Sequence, residues 1–328
     1  MLNIPNVNLY SKRYIFFIIS AVILLSGVIA FFAWGFELDI QFQGGTVIEM
    51  RANDNTFTET NVQEITSKVT ELVEDTVNKS AMVQKTAAYD VDTKSTFDVI
   101  KISIGSAETL TSEEIVKVEN AVVKELNLTA KDPVVNEESV EPFIGKEISQ
   151  NGIKAVLIAG VLIILYIWWR FKLVSGLSAG VFGVVGLLHD IGVMITVYLI
   201  FRFPVNESFI AALLTIFGFS MNDTVIIYDR IRENTRLLRK VPFPELVNTS
   251  VIQTLNRSIN TTITVLIAVI TVFVFARANG IASIEEFSFP MIIGLVSGTY
   301  STIFITIPLW VMFKENQKKS KAKAVKAS

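Results

Sequence analysis

Cysteine is absent from the 328 residues and histidine occurs once. The first absence excludes a disulfide framework and a thiolate metal site, the second a histidine-rich one, so any folded domain here is held by its core alone. Charge is also scarce. Only 18% of residues are Asp, Glu, Lys or Arg, against about a quarter in soluble domains, while 51% are hydrophobic and mean hydropathy is +0.50. A soluble globule has too little interior for that apolar surface, and lipid is the solvent that accepts it. The sequence also lacks a G-x-x-x-x-G-K-[ST] loop and an H-E-x-x-H helix. Nucleotide hydrolysis and zinc hydrolysis are therefore disfavoured, and the expectation is a membrane protein that is not an enzyme and carries no cofactor. The totals of 29 Lys+Arg and 31 Asp+Glu nearly cancel, but the acids cluster between 37 and 147 and many bases lie beyond 229. That asymmetry encodes membrane topology, not nucleic-acid binding.

A membrane-crossing helix needs about 20 apolar residues. Tyr14 to Trp34 meets this after Lys12 and Arg13, without a following A-x-A cleavage site, and reads as a retained signal anchor. Five further runs qualify: 153–169, 177–201, 209–228, 259–276 and 287–313, with a connecting loop at 229–258. Lys12, Arg13, Arg170, Lys172, the bases between Arg230 and Lys240 and those from Lys314 onward fall on one face. The opposite short loops carry only Arg202 and Arg277. The positive-inside rule then places both termini in the cytoplasm and residues 35–150 outside it. The basic stretch 314–328 reads as a disordered cytoplasmic tail, a solvated flank with modest attraction to anionic lipid or ribosomal partners.

The polar insert has α+β patterning. Thr46–Arg51 and Phe97–Ser103 alternate with period two, Ser80–Ala87 reads as a third strand with a weaker pattern, and Val134–Val140 as the last. Two amphipathic helices separate them. One opens at Thr60 and Gln63 and carries Val62, Ile65, Val69, Leu72 and Val73; the other opens with a capping box at Thr111 and Glu114 and carries Ile115, Val118, Val122 and Leu126. Strand, helix, strand, strand, helix, strand predicts a ferredoxin-like split β-α-β domain.

An ionisable group at the bilayer centre costs about 2.5–3.5 kcal/mol on insertion scales, so each is a candidate for function. His189 and Asp190 lie inside the third span, Asp223 in the fourth between Asn222 and Thr224, and Arg257 at the entry to the fifth. A carboxyl opposed by burial and a nearby guanidinium can bind and release a proton near neutral pH, and Arg257 is the natural counter-charge to Asp223. The competing expectation is a static Asp223–Arg257 pair that pins two helices. His189 and Asp190 point about 100° apart on a helix, so one lines a polar pocket and the other bonds a neighbour, and with Asp223, Arg257, Asn222 and Thr224 they make up the candidate ion pathway. With no nucleotide site, transport energy comes from an ion gradient, about 2.3 kcal/mol per charge through 100 mV, or from a partner.

Several segments together resemble one family. ELDIQFQGGT, with Asp39, Phe42, Gly44, Gly45 and Thr46, is similar to the D-F-x-G-G-T signature of the SecD/SecF protein-export family, within the RND superfamily. GFSMNDTVIIYDRIRENTR resembles the hallmark of that family's SecF branch. The His189–Asp190 pair and LNRSINTT around Arg257 match further family positions. VEPFIGKEI is similar to V-G-P-x-x-G-x-E-L, with Glu141 where a glycine is usual. The resemblance covers essentially the whole chain. It implies half of an RND-type core in the bacterial inner membrane, paired with SecD and acting at SecYEG, with an accessory membrane complex, on unfolded preprotein. It also implies that a proton gradient, or in some relatives a sodium gradient, drives late export after the SecA motor. Asp223 and Arg257 would belong to an ion pathway facing an acidic residue of SecD, and Gly44 and Gly45 to a hinge below the outer domain. A single six-span pattern fits the SecF half rather than a fused SecDF. The alternatives are a stand-alone RND-like exporter of lipids or small molecules, which would need a second repeat or a homodimer, and a scaffold that couples no ion.

Overall fold

The computed structural model describes residues 10–53, 56–58, 61–90, 95–105, 109–129, 133–171 and 176–327. Lys172, counted above as a topological charge, and Thr60, read as a helix cap, lie outside them.

Among the described residues, six helical spans are long and apolar enough to cross a membrane. They are α1 (Arg13–Trp34), α5 (Pro142–Arg170), α6 (Gly176–Phe201), α7 (Glu207–Leu237), α8 (Phe243–Ala278) and a broken sixth made of α9 (Ala282–Ser301), a π-helical segment (Thr302–Thr306) and α10 (Ile307–Ala327). The protein is a multi-pass membrane protein. Spans α6, α7 and the sixth form the centre of the bundle, while α1, α5 and α8 lie outside them with apolar faces exposed. Small residues allow the close packing. A β-carbon at Gly186 would overlap the Thr306 hydroxyl, and one at Gly294 would meet Ile216 at 2.5 Å.

Pro308 explains the break in the sixth span. It has no N–H for the Phe304 carbonyl, and just before it the backbone widens so that the Ile307 N–H reaches the Thr302 carbonyl five residues back. Two expectations about helix ends change. The connection 229–258 is largely helical, because α7 runs on to Leu237 and α8 begins at Phe243, leaving a turn at 238–242. The basic tail, expected to be disordered, continues α10 to Ala327, in keeping with the helix propensity of its alanines and lysines.

Between α1 and α5 lies the α+β domain: β1 (Gly45–Arg51), α3 (Val62–Val77), β2 (Ala81–Asp90), β3 (Ser95–Gly105), α4 (Ser112–Leu126) and β4 (Val134–Val140). The sheet is antiparallel in the order β2-β3-β1-β4, with Ile48 opposite Ile102, the strand and helix order of a split β-α-β unit. Ile48, Met50, Ile100, Ile102 and Ile104 meet Val69, Val73, Val118 and Val122 of the helices in one buried cluster. Each such side chain contributes roughly 1.5–3 kcal/mol by leaving water. Helix α4 opens with the expected capping box: the Glu114 N–H donates to Thr111 Oγ1 at 3.3 Å, and the Thr111 N–H to Glu114 Oε2 at 2.9 Å. Helix α3 begins one residue later than read, with Asn61 at its cap position and no side-chain cap bond.

The domain is fastened to the bundle at several points. The Val205 N–H donates to the Glu37 carbonyl at 2.9 Å and the Asp39 N–H to the Val205 carbonyl at 3.0 Å, while Arg202 pairs with Glu37. Asn206 donates to Glu286 at 2.5 Å, and Lys101 of β3 lies 3.9 Å from the same carboxyl.

Candidate functional site

The polar residues of the bundle form two centres that share Ser220. The first is built on Asp223 of α7, which is 6% exposed. It lines a cavity of about 10 Å³ together with Ser220, Asn222, Thr261, Thr262 and Thr299, room for about one water molecule between α7, α8 and α9. Ser258, almost fully buried on α8, turns toward the carboxyl without reaching good hydrogen-bond geometry. Arg257 acts on Asp223 through space. It is exposed on α8, and no ion pair joins the two among the described residues. The static interhelical pair considered from the sequence is therefore not formed: Ser258, not Arg257, occupies the inward position of that turn. Asn222 is likewise exposed beside the cavity. Thr224 faces the other way, 3.0 Å from Thr302 Oγ1 and donating to the Ser220 carbonyl at 3.1 Å.

The second centre is Asp190 on α6, 1% exposed. Its carboxyl accepts from Ser297 Oγ at 2.7 Å, Ser220 Oγ at 2.9 Å and Ser301 Oγ at 3.0 Å. His189 Nδ1 stands 3.4 Å from Asp190 Oδ1, and its Nε2 lies 3.0 Å from Ser20 Oγ on α1. Sequence reasoning placed Asp190 and His189 in the membrane but missed Ser20, Ser297, Tyr300 and Ser301. The signal was present in GLVSGTYS, where Ser297 and Ser301 stand four apart and share a helix face.

The motif around residue 40 is not part of either centre. Asp39 Oδ1 accepts from the Gln41 N–H at 3.2 Å and starts a short helical turn, α2 (Ile40–Gln43), and Phe42 inserts into the bundle core. Gly44 and Gly45 have φ of 78° and 140°, and a β-carbon at Gly45 would sit 2.2 Å from the Ile104 carbonyl oxygen. Thr46, fully buried, accepts from the Leu110 N–H at 3.2 Å and lies 2.9 Å from Ser139 Oγ. No group of three or more His, Asp or Glu able to hold a metal ion occurs among the described residues.

A six-span bundle with a buried carboxyl beside a water-sized cavity, carrying an α+β domain between its first two spans, defines a multi-pass membrane protein with one folded domain outside the bundle. Comparison with known proteins gives the family. Residues 120–316 match the model "Protein export membrane protein SecD/SecF, C-terminal". The chain is 34% identical over 316 residues to protein translocase subunit SecF of Alicyclobacillus acidocaldarius, with 95% of this chain and 94% of that one covered. It is 33% identical to SecF of Anaerolinea thermophila, with 94% and 95% covered. It also superposes with a TM-score of 0.76 and 28% identity on the crystal structure of SecDF, a translocon-associated membrane protein, from Thermus thermophilus. That match covers 96% of this chain and 40% of that one, so the chain spans less than half of the solved SecDF protein. The chain belongs to the SecD/SecF family of protein-export membrane proteins.

Proposed function

We propose that the chain is the SecF-type half of a Sec protein-export complex. In this reading it works with a SecD partner at the SecYEG translocon, alongside an accessory membrane complex, and couples a proton or sodium gradient to late passage of unfolded preproteins. It catalyses no chemical reaction and carries no cofactor. It sits in the bacterial inner membrane with both termini cytoplasmic and the α+β domain on the far side, with Gly44 and Gly45 as that domain's hinge. The names of its relatives support the export role, and their near full-length coverage favours it over a stand-alone exporter of lipids or small molecules.

The observation that carries the coupling is the setting of Asp223: a buried carboxyl without a contacting cation among the described residues, open to a cavity for about one water, with Arg257 and Asn222 exposed beside it. An ion pair in direct contact would hold its charge fixed, whereas a carboxyl at a wet cavity can take up and release an ion. The exposed Arg257 and Asn222 are placed for a second chain to complete the pathway. The test is Asp223→Asn in vesicles containing the full export machinery, with partner association checked. Loss of the gradient-dependent part of export, with the remainder intact, is the expected result. Unchanged export would make the chain a scaffold.

A further inference from the structure

A buried chain of hydrogen bonds runs from α1 to Asp190, and its protons can be counted. The Phe16 carbonyl only accepts, so the Tyr300 hydroxyl, 2.8 Å away, donates its one proton there. Ser20 Oγ lies 3.1 Å from Tyr300 Oη and must supply the proton of that bond. Ser20 is then an acceptor toward His189 Nε2 at 3.0 Å, which fixes a proton on Nε2. The other ring nitrogen, Nδ1, faces Asp190 Oδ1 at 3.4 Å. Two bare acceptors facing each other in a buried site repel, so a proton lies between them. Ser297 and Ser220 donate to Asp190, and Ser301 shares its one proton between Asp190 and the Gly298 carbonyl at 3.2 Å, an arrangement that stabilises the carboxylate anion. The proton therefore resides on Nδ1.

We propose that His189 and Asp190 form a closed imidazolium–carboxylate pair that stands outside the ion pathway and positions α1 against α6 and α9. The pair has no net charge, which meets the cost of placing either group alone in the bilayer. Asp190 and His189 are buried, and neither lines the cavity beside Asp223, although Ser220, which donates to Asp190, does. The titratable neighbours on the packed helices are Tyr300 of α9, which is engaged with Phe16, and Asp223, three residues beyond Ser220 on α7; α1 contributes the Ser20 hydroxyl. Through Ser20 the pair holds the helix that leads into the α+β domain. This assignment rests on the proposed function only in taking Asp223 as the group that meets the moving ion.

One histidine in 328 residues makes the test direct. With ¹⁵N-histidine, the full chain in lipid nanodiscs yields a single pair of ring resonances. A free imidazole is mostly neutral at pH about 7.5. The closed pair predicts protons on both nitrogens at that pH, and Asp190→Asn predicts a neutral ring protonated on Nε2 alone. A bare Nδ1 or a bare Nε2 in the wild-type chain would overturn the proposal. If Asp190→Asn does not fold, the wild-type spectrum still decides. In the export assay, Ser20→Ala should keep the doubly protonated ring while weakening total export, and an unaltered rate would remove the positioning role. Unchanged export by Asp223→Asn would defeat the proposed function and leave the ring spectrum as independent evidence.

Discussion

A β-carbon at Gly145 would lie 2.9 Å from the Gly44 amide nitrogen and 3.1 Å from the Phe42 carbonyl oxygen, so α5 and the turn after α1 meet backbone to backbone. This contact closes the neck through which the chain enters and leaves the α+β domain, and it joins two motifs that lie about a hundred residues apart in the sequence. Gly145→Ala forces backbone apart, and overpacking of this kind costs about 1–3 kcal/mol. Gly160, also within α5, has nothing within 4 Å of its would-be β-carbon. Thermal unfolding in nanodiscs should show a lowered midpoint for Gly145→Ala and none for Gly160→Ala. Equal midpoints would remove the neck contact from the account.

Thr46 follows the paired glycines and is buried with its hydroxyl engaged by the Leu110 N–H. Valine has nearly the same shape but offers no acceptor, so Thr46→Val strands a buried amide and loses the Ser139 contact. An unsatisfied buried group costs about 1–3 kcal/mol. Hydrogen exchange should report it locally: the Leu110 amide should exchange faster in the variant while amides in the middle of β3 are less affected. An unaltered Leu110 rate would mean that another acceptor takes over.

Two carboxyls of α4 should respond to pH with opposite sign. The Thr111 N–H bond holds Glu114 below the usual carboxylate value, with Lys79 adding to the effect, whereas burial, reinforced by Glu137, pushes Glu119 up. A lowered folded value gives stability that is present above the unfolded value, about 4.3, and is lost as pH falls through the folded one. A raised folded value gives the reverse: the contribution is present below the unfolded value and lost as pH rises through the folded one. Glu114→Gln should therefore lower the unfolding midpoint at pH 7, and Glu119→Gln should raise it. Both differences should shrink toward about pH 3. Midpoints that move together at pH 7 would contradict the two assignments.

Hydropathy and periodicity made the six spans and the α+β insert legible, because apolar runs of about 20 residues and alternating strands arise from the solvent each segment meets. The same signal stops where helices leave lipid. The end of α7 is charged and carries no apolar run, yet it stays helical, with Arg232 on Asp229 at 2.7 Å and Arg230 on Glu233 at 2.6 Å one turn apart. Asp223 stood out as a rare intramembrane charge, but which side of α8 Arg257 occupies is set by packing, and a one-residue rotation places Ser258 inward instead. The serines around Asp190 were invisible as a group because they come from two helices and meet only in the folded bundle.

Arg257 separates stability from function most cleanly. It is exposed and makes no ion pair among the described residues, and surface substitutions usually change stability by less than about 0.5 kcal/mol. Arg257→Gln should keep the wild-type unfolding midpoint and partner association while reducing gradient-dependent export. Arg257→Lys keeps the charge without the planar fork, so recovery by lysine would assign the role to charge, and continued loss would assign it to bidentate geometry toward a partner carboxylate. The decisive variant is the double one, Asp223→Asn with Arg257→Gln. If the two residues serve one pathway, its loss should be no greater than that of Asp223→Asn alone, because a step already removed is not removed again. Additive losses would place Arg257 in a separate contact with the partner chain and leave Asp223 to meet the ion without it.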